Sequence, residues 1–293
     1  MTFYIIDVSK YNPGVDFDRV RASGIQGAIV KATEGTINQT GADTTNVFKV
    51  YARQIRKANF PVYGAYHFLR PGNYGSQAAN FYNSVRAAYG TIEGCLLQLD
   101  AEQAGITLAD VRGFLTAWNA ISGAYPLVGY FPRWFWEPVT QGPTLLNGFK
   151  GWWQSSYVLG TGTYTALAQR IARGWDAWDG ITPTILQYSS SATVPGISGL
   201  CDVNQIRLPL PMFLLQCTRQ PIDPGLGEEN EMKLIQASGD NAIWAVWGFS
   251  RRHVGNMDQV ADLEAIYGVR VTPVDASTLG LYSDLDAPAS GAK

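Results

Sequence analysis

Two acidic residues follow an apolar run in this chain, and their spacing suits acid–base chemistry. The run from Leu96 to Leu99 is typical of a buried strand, and Asp100 and Glu102 stand at its end. Because side chains alternate between the faces of a strand, both carboxyl groups point the same way, roughly 6.5 to 7 Å apart along it. Paired carboxylates in different surroundings can acquire different pKa values, so that one acts as an acid and the other as a base. The alternatives are a solvated loop edge or an acid that caps the next helix.

Three further apolar runs in the first quarter of the chain also indicate strands. They cover residues 3–7, 27–34 and 61–68, and the first of them ends in Asp7. Residues 17–23 and 47–58 lie between them and have helical spacing of apolar residues. This alternation of strand and helix predicts a parallel sheet. In parallel α/β barrels the chemistry is done at the carboxyl ends of the strands, where these acids would lie.

The second half of the barrel is less regular. Further strand candidates lie at residues 127–131, 151–154, 184–188 and 201–204. With the four earlier runs they supply enough strands for a closed barrel, but loops and short segments join the later ones. The pattern therefore predicts an α/β fold, an irregular (β/α) TIM-like barrel in which the late strands lack full helices.

Several short motifs carry a family resemblance in their order and spacing. They are Asp7-Val8-Ser9, Lys31-Ala32-Thr33-Glu34-Gly35, Gly64-Ala65-Tyr66-His67-Phe68, Leu99-Asp100-Ala101-Glu102, Gln187-Tyr188-Ser189 and Asp202-Val203-Asn204. Together they resemble the glycoside hydrolase family 25 lysozymes over about the first 206 residues. The resemblance implies cleavage of the β-1,4 bond between N-acetylmuramic acid and N-acetylglucosamine. By position, the acids of the family's pocket match Asp7, Asp100, Glu102 and Asp202.

The pair Asp100 and Glu102 suggests a mechanism. We expect burial and like charge to push Glu102 toward protonation, so that it can protonate the departing glycosidic oxygen as general acid. Asp100 is expected to stay ionised and to stabilise the transition state or orient the 2-acetamido group of the sugar. The alternative is inversion, with Asp7 or Asp202 activating water. Carboxyl groups about 5 to 5.5 Å apart favour retention and those about 6.5 to 9.5 Å apart favour inversion, with substrate-assisted enzymes excepted.

The candidates for substrate binding lie at the other strand ends. Tyr66 and Tyr130 are placed to line a glycan groove. Lys31 and Glu34 either enter the pocket or form a local ion pair, and His67 either packs at the barrel end or contacts sugar. The full set of binding candidates is Lys31, Glu34, Tyr66, His67, Tyr130 and Gln187, the last from the resemblance.

Composition excludes several classes of function. The net charge is -2 and the longest cationic cluster is Arg251-Arg252, which argues against nucleic acid. No apolar run approaches the roughly 20 residues that span a bilayer. The three cysteines are too few for a disulfide framework, and the two histidines fall in separate predicted domains. The sequence therefore predicts no metal and no cofactor.

The predicted domains are a catalytic barrel at residues 1–206, a final barrel segment or linker at 207–228, and a small α+β module at 229–293. The module is expected to contain strands at 232–236 and 242–248 and a helix at 257–267. Its short stretch of aromatic and cationic residues, from Trp244 to His253, suits a bacterial wall polymer. The alternative is a structural module docked on the barrel.

The biological setting is inferred from the N-terminus. Met1 leads within a few residues to Asp7, which leaves no room for a signal peptide. We therefore expect a phage endolysin that stays in the host cytoplasm until it is released and then acts on peptidoglycan. Two alternatives from other classes are a catalytically inactive glycan-binding phage structural protein and a chitin-type glycosidase.

Overall fold

A computed structural model describes residues 2–38 and 47–219, together with the backbone of five strands between residues 233 and 284. The chain divides into two units, Met1–Gln220 and Pro221–Lys293. Among the described residues, no helix is long and apolar enough to cross a membrane.

A closed barrel of eight strands forms the centre of the first unit. In ring order its strands are β1 (Phe3–Val8), β2 (Gly27–Glu34), β4 (Val62–Phe68), β5 (Leu96–Asp100), β6 (Val128–Tyr130), β7 (Gly151–Ser155), β9 (Ile185–Thr193) and β10 (Cys201–Ile206). Neighbouring strands are parallel from β1 through β9, and β10 runs antiparallel to both β9 and β1. There are also two short strands: β3 (Ile37–Asn38) pairs with β2, and β8 (Gly162–Thr163) pairs with β9.

The helices confirm that the late strands lack full helices. The first half of the barrel carries α1 (Phe17–Ala22), α2 (Val47–Lys57), α3 (Tyr74–Tyr89) and α4 (Leu108–Ser122). The second half has only the short helices α5 (Arg133–Trp136), α6 (Gly142–Leu146) and α7 (Tyr164–Ala168) before the final helix α8 (Leu210–Thr218). The predicted α/β fold with an irregular barrel is therefore confirmed.

Two apolar layers hold the barrel. The outer layer packs the helices against outward-facing residues such as Val30, Leu97 and Leu99. The inner layer joins the inward-facing residues of the strands' amino ends, including Ile5 and Ile29, to α8. The residues of α8 in this layer are Leu210, Phe213, Leu214 and Cys217. Helix α8 thus closes the amino end of the barrel, and the open carboxyl end remains for chemistry.

Local signals explain the elements that position β5. A capping box begins α4, in which the Thr107 side chain accepts a hydrogen bond from the Asp110 backbone and Asp110 accepts one in return. The helix ends at Gly123, whose φ of 65° favours glycine. On the neighbouring strand, Gly64 lies so close to the Leu96 backbone that a Cβ would not fit between them. This close approach lets β4 and β5 pair tightly beneath the acids.

The second unit contains a five-stranded sheet. Its strands are β11 (Lys233–Ala237), β12 (Ile243–Trp247), β13 (Ser250–Val254), β14 (Val271–Val274) and β15 (Ser283–Asp284), arranged in the order β14-β11-β12-β13-β15. The two strands expected from the sequence are β11 and β12, which pair antiparallel. The helix predicted at 257–267 lies outside the described residues.

Candidate active site

Four acids converge at the carboxyl end of the barrel, and we call Asp7, Asp100, Glu102 and Asp202 the acid cluster. Asp7 and Asp202 are directly paired in register on β1 and β10. Asp100 ends β5, which lies opposite β10 in the ring, and Glu102 follows two residues later. Because β10 runs antiparallel, Asp202 enters the cluster from the beginning of its strand, not from a carboxyl end as the other acids do.

Asp7 is held by two amide donors from other strands. Its Oδ2 accepts hydrogen bonds from Gln187 Nε2 at 3.0 Å and from Asn204 Nδ2 at 2.8 Å. Burial raises the pKa of Asp7, and these two hydrogen bonds act against that rise because they stabilise the carboxylate. Asp7 is therefore a fixed acceptor in the floor of the pocket.

Aromatic residues fix the orientation of both amides. Tyr130 and Tyr157 donate their hydroxyl hydrogen bonds to Gln187 Oε1, at 2.8 and 2.6 Å. The indole of Trp153 donates to Asn204 Oδ1 at 2.9 Å. Since each amide oxygen is occupied by these donors, each amide nitrogen is directed at Asp7. The network makes the position of Asp7 independent of any ligand.

Asp100 lacks this kind of support. It is buried, and no group in the described part of the chain donates a hydrogen bond to its Oδ1. Burial, followed by the negative charge of Glu102, raises the pKa of Asp100 well above its ordinary range. This shift is toward the protonated form and so runs against the expectation from sequence that Asp100 stays ionised. The physical reason is that burial and neighbouring negative charge disfavour the carboxylate, while Oδ1 has no donor among the described residues.

Glu102 and Asp202 are the two half-buried members of the acid cluster. The pKa of Glu102 is raised by burial and then by the charge of Asp7, while Lys31 lowers it. Burial, with Asp7 and Glu102, raises the pKa of Asp202 to about 8. Burial therefore favours the protonated form of both groups, and both can still be reached from solvent. Within residues 2–38 and 47–219, no group of three or more His, Cys, Asp or Glu side chains is suited to a metal ion.

A set of charged side chains lies beside the acids at the ends of β2 and β4. Lys31 Nζ is 2.6 Å from Glu34 Oε2, and Arg70 Nε donates to Glu34 Oε1 at 3.0 Å. Arg70 also donates to Gln103, the residue after Glu102. The local ion pair considered from the sequence is therefore present, and its cation acts on the acids next to it.

The two tyrosines named from the sequence differ in their surroundings. Tyr66 faces the acid cluster, since burial and then each of its four acids raise the pKa of this phenol well above its ordinary value. Tyr130 is buried, and its hydroxyl is committed to Gln187. Tyr66 thus lies in the pocket, while Tyr130 holds Gln187 and Gln187 holds Asp7 through hydrogen bonds.

The structure does not bring His67 to the acid cluster. The ring is fully buried on the outer face of β4, where it stacks on Phe114 at 4.9 Å. Its nitrogens contact Thr33 Oγ1 at 2.7 Å and Gln77 Oε1 at 3.0 Å. Gln77 also bonds the backbone of Arg70 and Gly72. We call His67, Thr33 and Gln77 the histidine cluster; of the two roles considered from sequence, packing fits this position and sugar contact does not.

A β-bulge explains the outward position of Thr33. The register of β2 against β4 shifts between Lys31 and Thr33, so that Lys31 pairs with Tyr66 but Thr33 pairs with His67. Strict alternation would put Lys31 and Thr33 on one face. The extra residue turns Thr33 toward the helices while Lys31 stays beside the acids.

Sequence reasoning missed three residues that shape the site: Asn204, Tyr157 and Arg70. Asn204 had a signal, because it lies two residues after Asp202 and so shares a strand face with it. Tyr157 and Arg70 lie beyond the ends of β7 and β4, in loops whose course no periodicity predicts. Only their hydrogen bonds to Gln187 and Glu34 identify them.

Comparison with known proteins places this geometry in a family. The model of the glycosyl hydrolases family 25 matches residues 6–197, a range that includes Asp7, Asp100 and Glu102 and ends before Asp202. The N,O-diacetylmuramidase of Chalaropsis sp is 27% identical over 148 residues, covering 46% of this chain and 68% of that protein. Lysozyme M1 of Streptomyces globisporus is 24% identical over 212 residues, covering 68% and 66%. The chain thus spans about two thirds of the length of these relatives.

Solved structures share the fold. The bacterial lysozyme from Streptomyces coelicolor superposes with a TM-score of 0.59 at 20% identity, covering 75% of this chain and 98% of that chain. The catalytic domain of endolysin ply40 from a bacteriophage of Listeria monocytogenes gives 0.51 at 19% identity, covering 73% and 97%. Because the family model covers most of the chain, and lies within the barrel that carries the acid cluster, the chain belongs to the glycosyl hydrolases family 25 and is a glycoside hydrolase.

Proposed function

We propose that this protein is an N-acetylmuramidase that hydrolyses peptidoglycan at the β-1,4 bond between N-acetylmuramic acid and N-acetylglucosamine, with Glu102 as general acid. The observation that carries the assignment is a half-buried carboxyl group whose pKa is raised and which faces a second carboxyl group, Asp202, across the barrel. A general acid must hold its proton near neutral pH; the raised pKa of Glu102 favours that proton, and its half-buried carboxyl group can still be reached by a substrate. The muramidase and lysozyme relatives support the same bond specificity.

The other acids have complementary roles in the proposal. Asp7, whose carboxylate form is favoured by its two amide donors, and Asp202, opposite Glu102, are placed to stabilise positive charge on the sugar ring or to activate water. Asp100 adjoins Glu102 and orients the 2-acetamido group once substrate supplies a donor to its free oxygen. Tyr66 contacts the sugar from the wall of the pocket. The anomer released first separates the two routes: retention supports assistance by the acetamido group, and inversion supports water activated by Asp7 or Asp202.

The test uses purified bacterial cell walls. We expect the turbidity of the suspension to fall, and borohydride reduction of the products to label muramic acid at the new reducing ends. Labelled glucosamine would contradict the muramidase assignment, and cleavage of chitin oligosaccharides but not of walls would favour a chitin-type glycosidase.

The first prediction concerns the general acid. The substitution Glu102→Gln keeps the shape of the side chain but cannot deliver a proton, so lysis should slow by about 100- to 10,000-fold. Circular dichroism checks that the variant is folded. The matched control is Glu137→Gln, the same change at the exposed residue that follows α5, which should lyse walls like the unaltered protein. A folded Glu102→Gln protein with near-normal lysis would overturn the role of Glu102.

We further infer that the enzyme serves as a phage endolysin. The shared fold with the catalytic domain of endolysin ply40 supports this setting. Expression inside bacteria should then leave the cells intact until the membrane is permeabilised, and turbidity should fall only afterwards. Lysis without permeabilisation would contradict this setting without touching the activity itself.

For the second unit we propose binding to the bacterial wall. The register of its sheet pairs Trp244 with His253 and Val246 with Arg251, which brings aromatic and cationic residues onto adjacent strands. Binding to the wall would raise the effective concentration of the catalytic unit there. A fluorescent fusion of residues 229–293 should decorate cells, and residues 1–228 alone should lyse them more slowly. Equal lysis together with an undecorated wall would make the second unit structural.

A further inference from the structure

Lys31 is a cation placed among the acids of the barrel interior. It lies two residues after Ile29, a residue of the inner apolar layer, and pairs in register with Tyr66, which faces the acid cluster. Its side chain is only 12% exposed. The positive charge of Lys31 lowers the pKa of both Asp100 and Glu102. A cation of this kind is held there at a desolvation cost, so its position calls for a physical reason.

Neighbouring groups fix where the ammonium sits. Lys31 Nζ is 2.6 Å from Glu34 Oε2 and 4.5 Å from the centre of the Phe68 ring. Arg70 lies over the same ring at 5.0 Å and binds the other oxygen of Glu34. The Phe68 ring lies between the two cations, and both cations bind the Glu34 carboxylate. These contacts leave the Lys31 ammonium little freedom to move.

The backbone behind Arg70 is fixed as well. Gln77 accepts a hydrogen bond from the Arg70 backbone nitrogen at 3.1 Å and donates to the Arg70 carbonyl at 2.7 Å. The chain of contacts therefore runs from the outer face of the barrel to the acids: Gln77 holds the Arg70 backbone, Arg70 holds Glu34, and Glu34 holds Lys31. The position of the charge is built into the fold and does not depend on substrate.

We propose that Lys31 is a positioning residue that counters the negative charge of the Asp100 and Glu102 pair, and that Glu34 limits the strength of this effect. The proposal rests on the proposed function and deepens it, since it states how the acid strength of that site is set. Without such a cation, burial and like charge would favour the protonated forms of Asp100 and Glu102 more strongly and leave less negative charge to stabilise positive charge on the sugar. The titratable groups that face the pair are Asp7 on β1, Lys31 and Glu34 on β2, Tyr66 on β4, Tyr130 on β6, Tyr157 after β7 and Asp202 on β10.

The proposal predicts pKa shifts of opposite sign when one or the other member of the Lys31–Glu34 ion pair is replaced. Lys31 favours the ionised forms of Asp100 and Glu102, so Lys31→Met should raise both pKa values and move both limbs of the pH profile upward, by about one unit. Glu34 raises the pKa of Asp100, and it also offsets the charge of Lys31. The substitution Glu34→Gln should therefore move the profile downward. If the ion pair had only a structural role, both substitutions would weaken activity, and they would not shift the pH profile in opposite directions.

The experiment uses the full-length chain and purified peptidoglycan. Rates of lysis are measured from pH 4 to 9 for the unaltered protein and for Lys31→Met, Lys31→Arg and Glu34→Gln. Arginine keeps the charge and should restore the original limbs. The charge-matched controls are Lys57→Met, at an exposed position at the end of α2, and Glu137→Gln. Neither control should move the profile.

A second measurement does not need activity. Carboxyl carbons of labelled Asp and Glu are titrated by NMR in each folded variant, and the resonances of Asp100 and Glu102 are followed. Shifts of opposite sign in Lys31→Met and Glu34→Gln support the proposal even if the wall proves not to be the substrate. Titration curves that do not move in either variant would overturn it, whatever the activity of the unaltered protein. If Lys31→Met does not fold, a downward shift in Glu34→Gln with unshifted curves in Lys31→Arg supports the proposal, and unshifted curves in Glu34→Gln overturn it.

Discussion

The acid cluster and the histidine cluster lie on opposite faces of neighbouring strands, and they treat buried polar groups in opposite ways. In the histidine cluster, both ring nitrogens and both ends of the Gln77 amide have partners. In the acid cluster, like charges face one another and Asp100 Oδ1 has no donor among the described residues. The first arrangement satisfies every group, whereas the second leaves unfavourable interactions in place.

The difference teaches which buried polar groups carry structure and which carry chemistry. A satisfied network stabilises one arrangement of the backbone, here the turn that presents Arg70. An unsatisfied one raises the free energy of the folded protein, but it also holds acids near the pKa values that proton transfer needs. Removing a polar group of the histidine cluster should therefore destabilise the folded protein, and removing one of the acid cluster should stabilise it.

The largest effect on stability is expected at Gln77. Replacing it in Gln77→Leu removes the partner of the His67 ring and of the Arg70 backbone inside the core, which should cost about 3 to 5 kcal/mol of unfolding free energy. Urea denaturation at pH 7 measures the change. Gln54→Leu, at an exposed position on α2, is the matched control and should change stability little. Similar stability of the two variants would show that Gln77 in the histidine cluster contributes no more to the unfolding free energy than an exposed glutamine does.

A somewhat smaller effect follows from the charge state of His67. Burial lowers the pKa of His67 from 6.5 to about 4. Above pH 6.5 the ring is neutral in the folded and unfolded chain, so it adds no pH dependence. As pH falls from 6.5 toward 4, only the unfolded chain takes up the proton, and stability drops by up to about 3 kcal/mol.

The substitution His67→Gln removes this proton uptake. The difference in unfolding free energy between the unaltered protein and His67→Gln should therefore shrink on going from pH 7 to pH 4.5. Urea denaturation at the two pH values tests this, and the comparison cancels the contributions of the acids. A difference that stays constant across the two values would contradict a neutral buried ring.

The last effect has the opposite sign and concerns the acid cluster. The pKa of Asp202 is raised to about 8, so between about pH 4 and 8 the folded protein holds a proton that the unfolded chain releases. Stability is lost as pH rises through this window. Asp202→Asn escapes that loss, so its unfolding free energy should exceed that of the unaltered protein by more at pH 8 than at pH 4.

Thermal unfolding at both pH values, with the exposed Asp176→Asn as control, measures the gain at Asp202. Lysis by Asp202→Asn should meanwhile be reduced. A loss of stability in Asp202→Asn at pH 8 would mean that the carboxyl group belongs to a satisfied network, and the contrast between the two clusters would disappear.

Much of the catalytic barrel could be predicted from the sequence, because apolar runs and strand-end acids are local signals. Asp100 and Glu102 were found from alternation alone, and the strand of Asp7 from its apolar run. The same alternation could have separated Tyr66 from His67, since adjacent strand residues face opposite ways. The bulge between Lys31 and Thr33 could not be predicted, because it depends on pairing with β4.

Helix α8 lies in the segment 207–228, which the sequence predicts to be a final barrel segment or a linker, and its own sequence carries a helix signal. Prolines at 209 and 211 suggested a connection, yet proline is favoured in the first turn of a helix. The apolar residues that follow, Leu210, Phe213, Leu214 and Cys217, have helical spacing. The direction of β10 was also beyond sequence reasoning, because a short loop without a helix is the only local sign of an antiparallel return.

The pairing of β1 with β10 has a consequence for the time course of synthesis. Asp7 is among the first residues made, whereas its partner Asp202 and the donor Asn204 emerge almost two hundred residues later. The barrel cannot close, and α8 cannot cover its amino end, until that late segment has left the ribosome. Contacts between such distant positions form slowly because a long loop must be closed first. The active pocket therefore cannot be complete until the segment around Asp202 and Asn204 has been made, and it is among the last parts of the barrel to assemble.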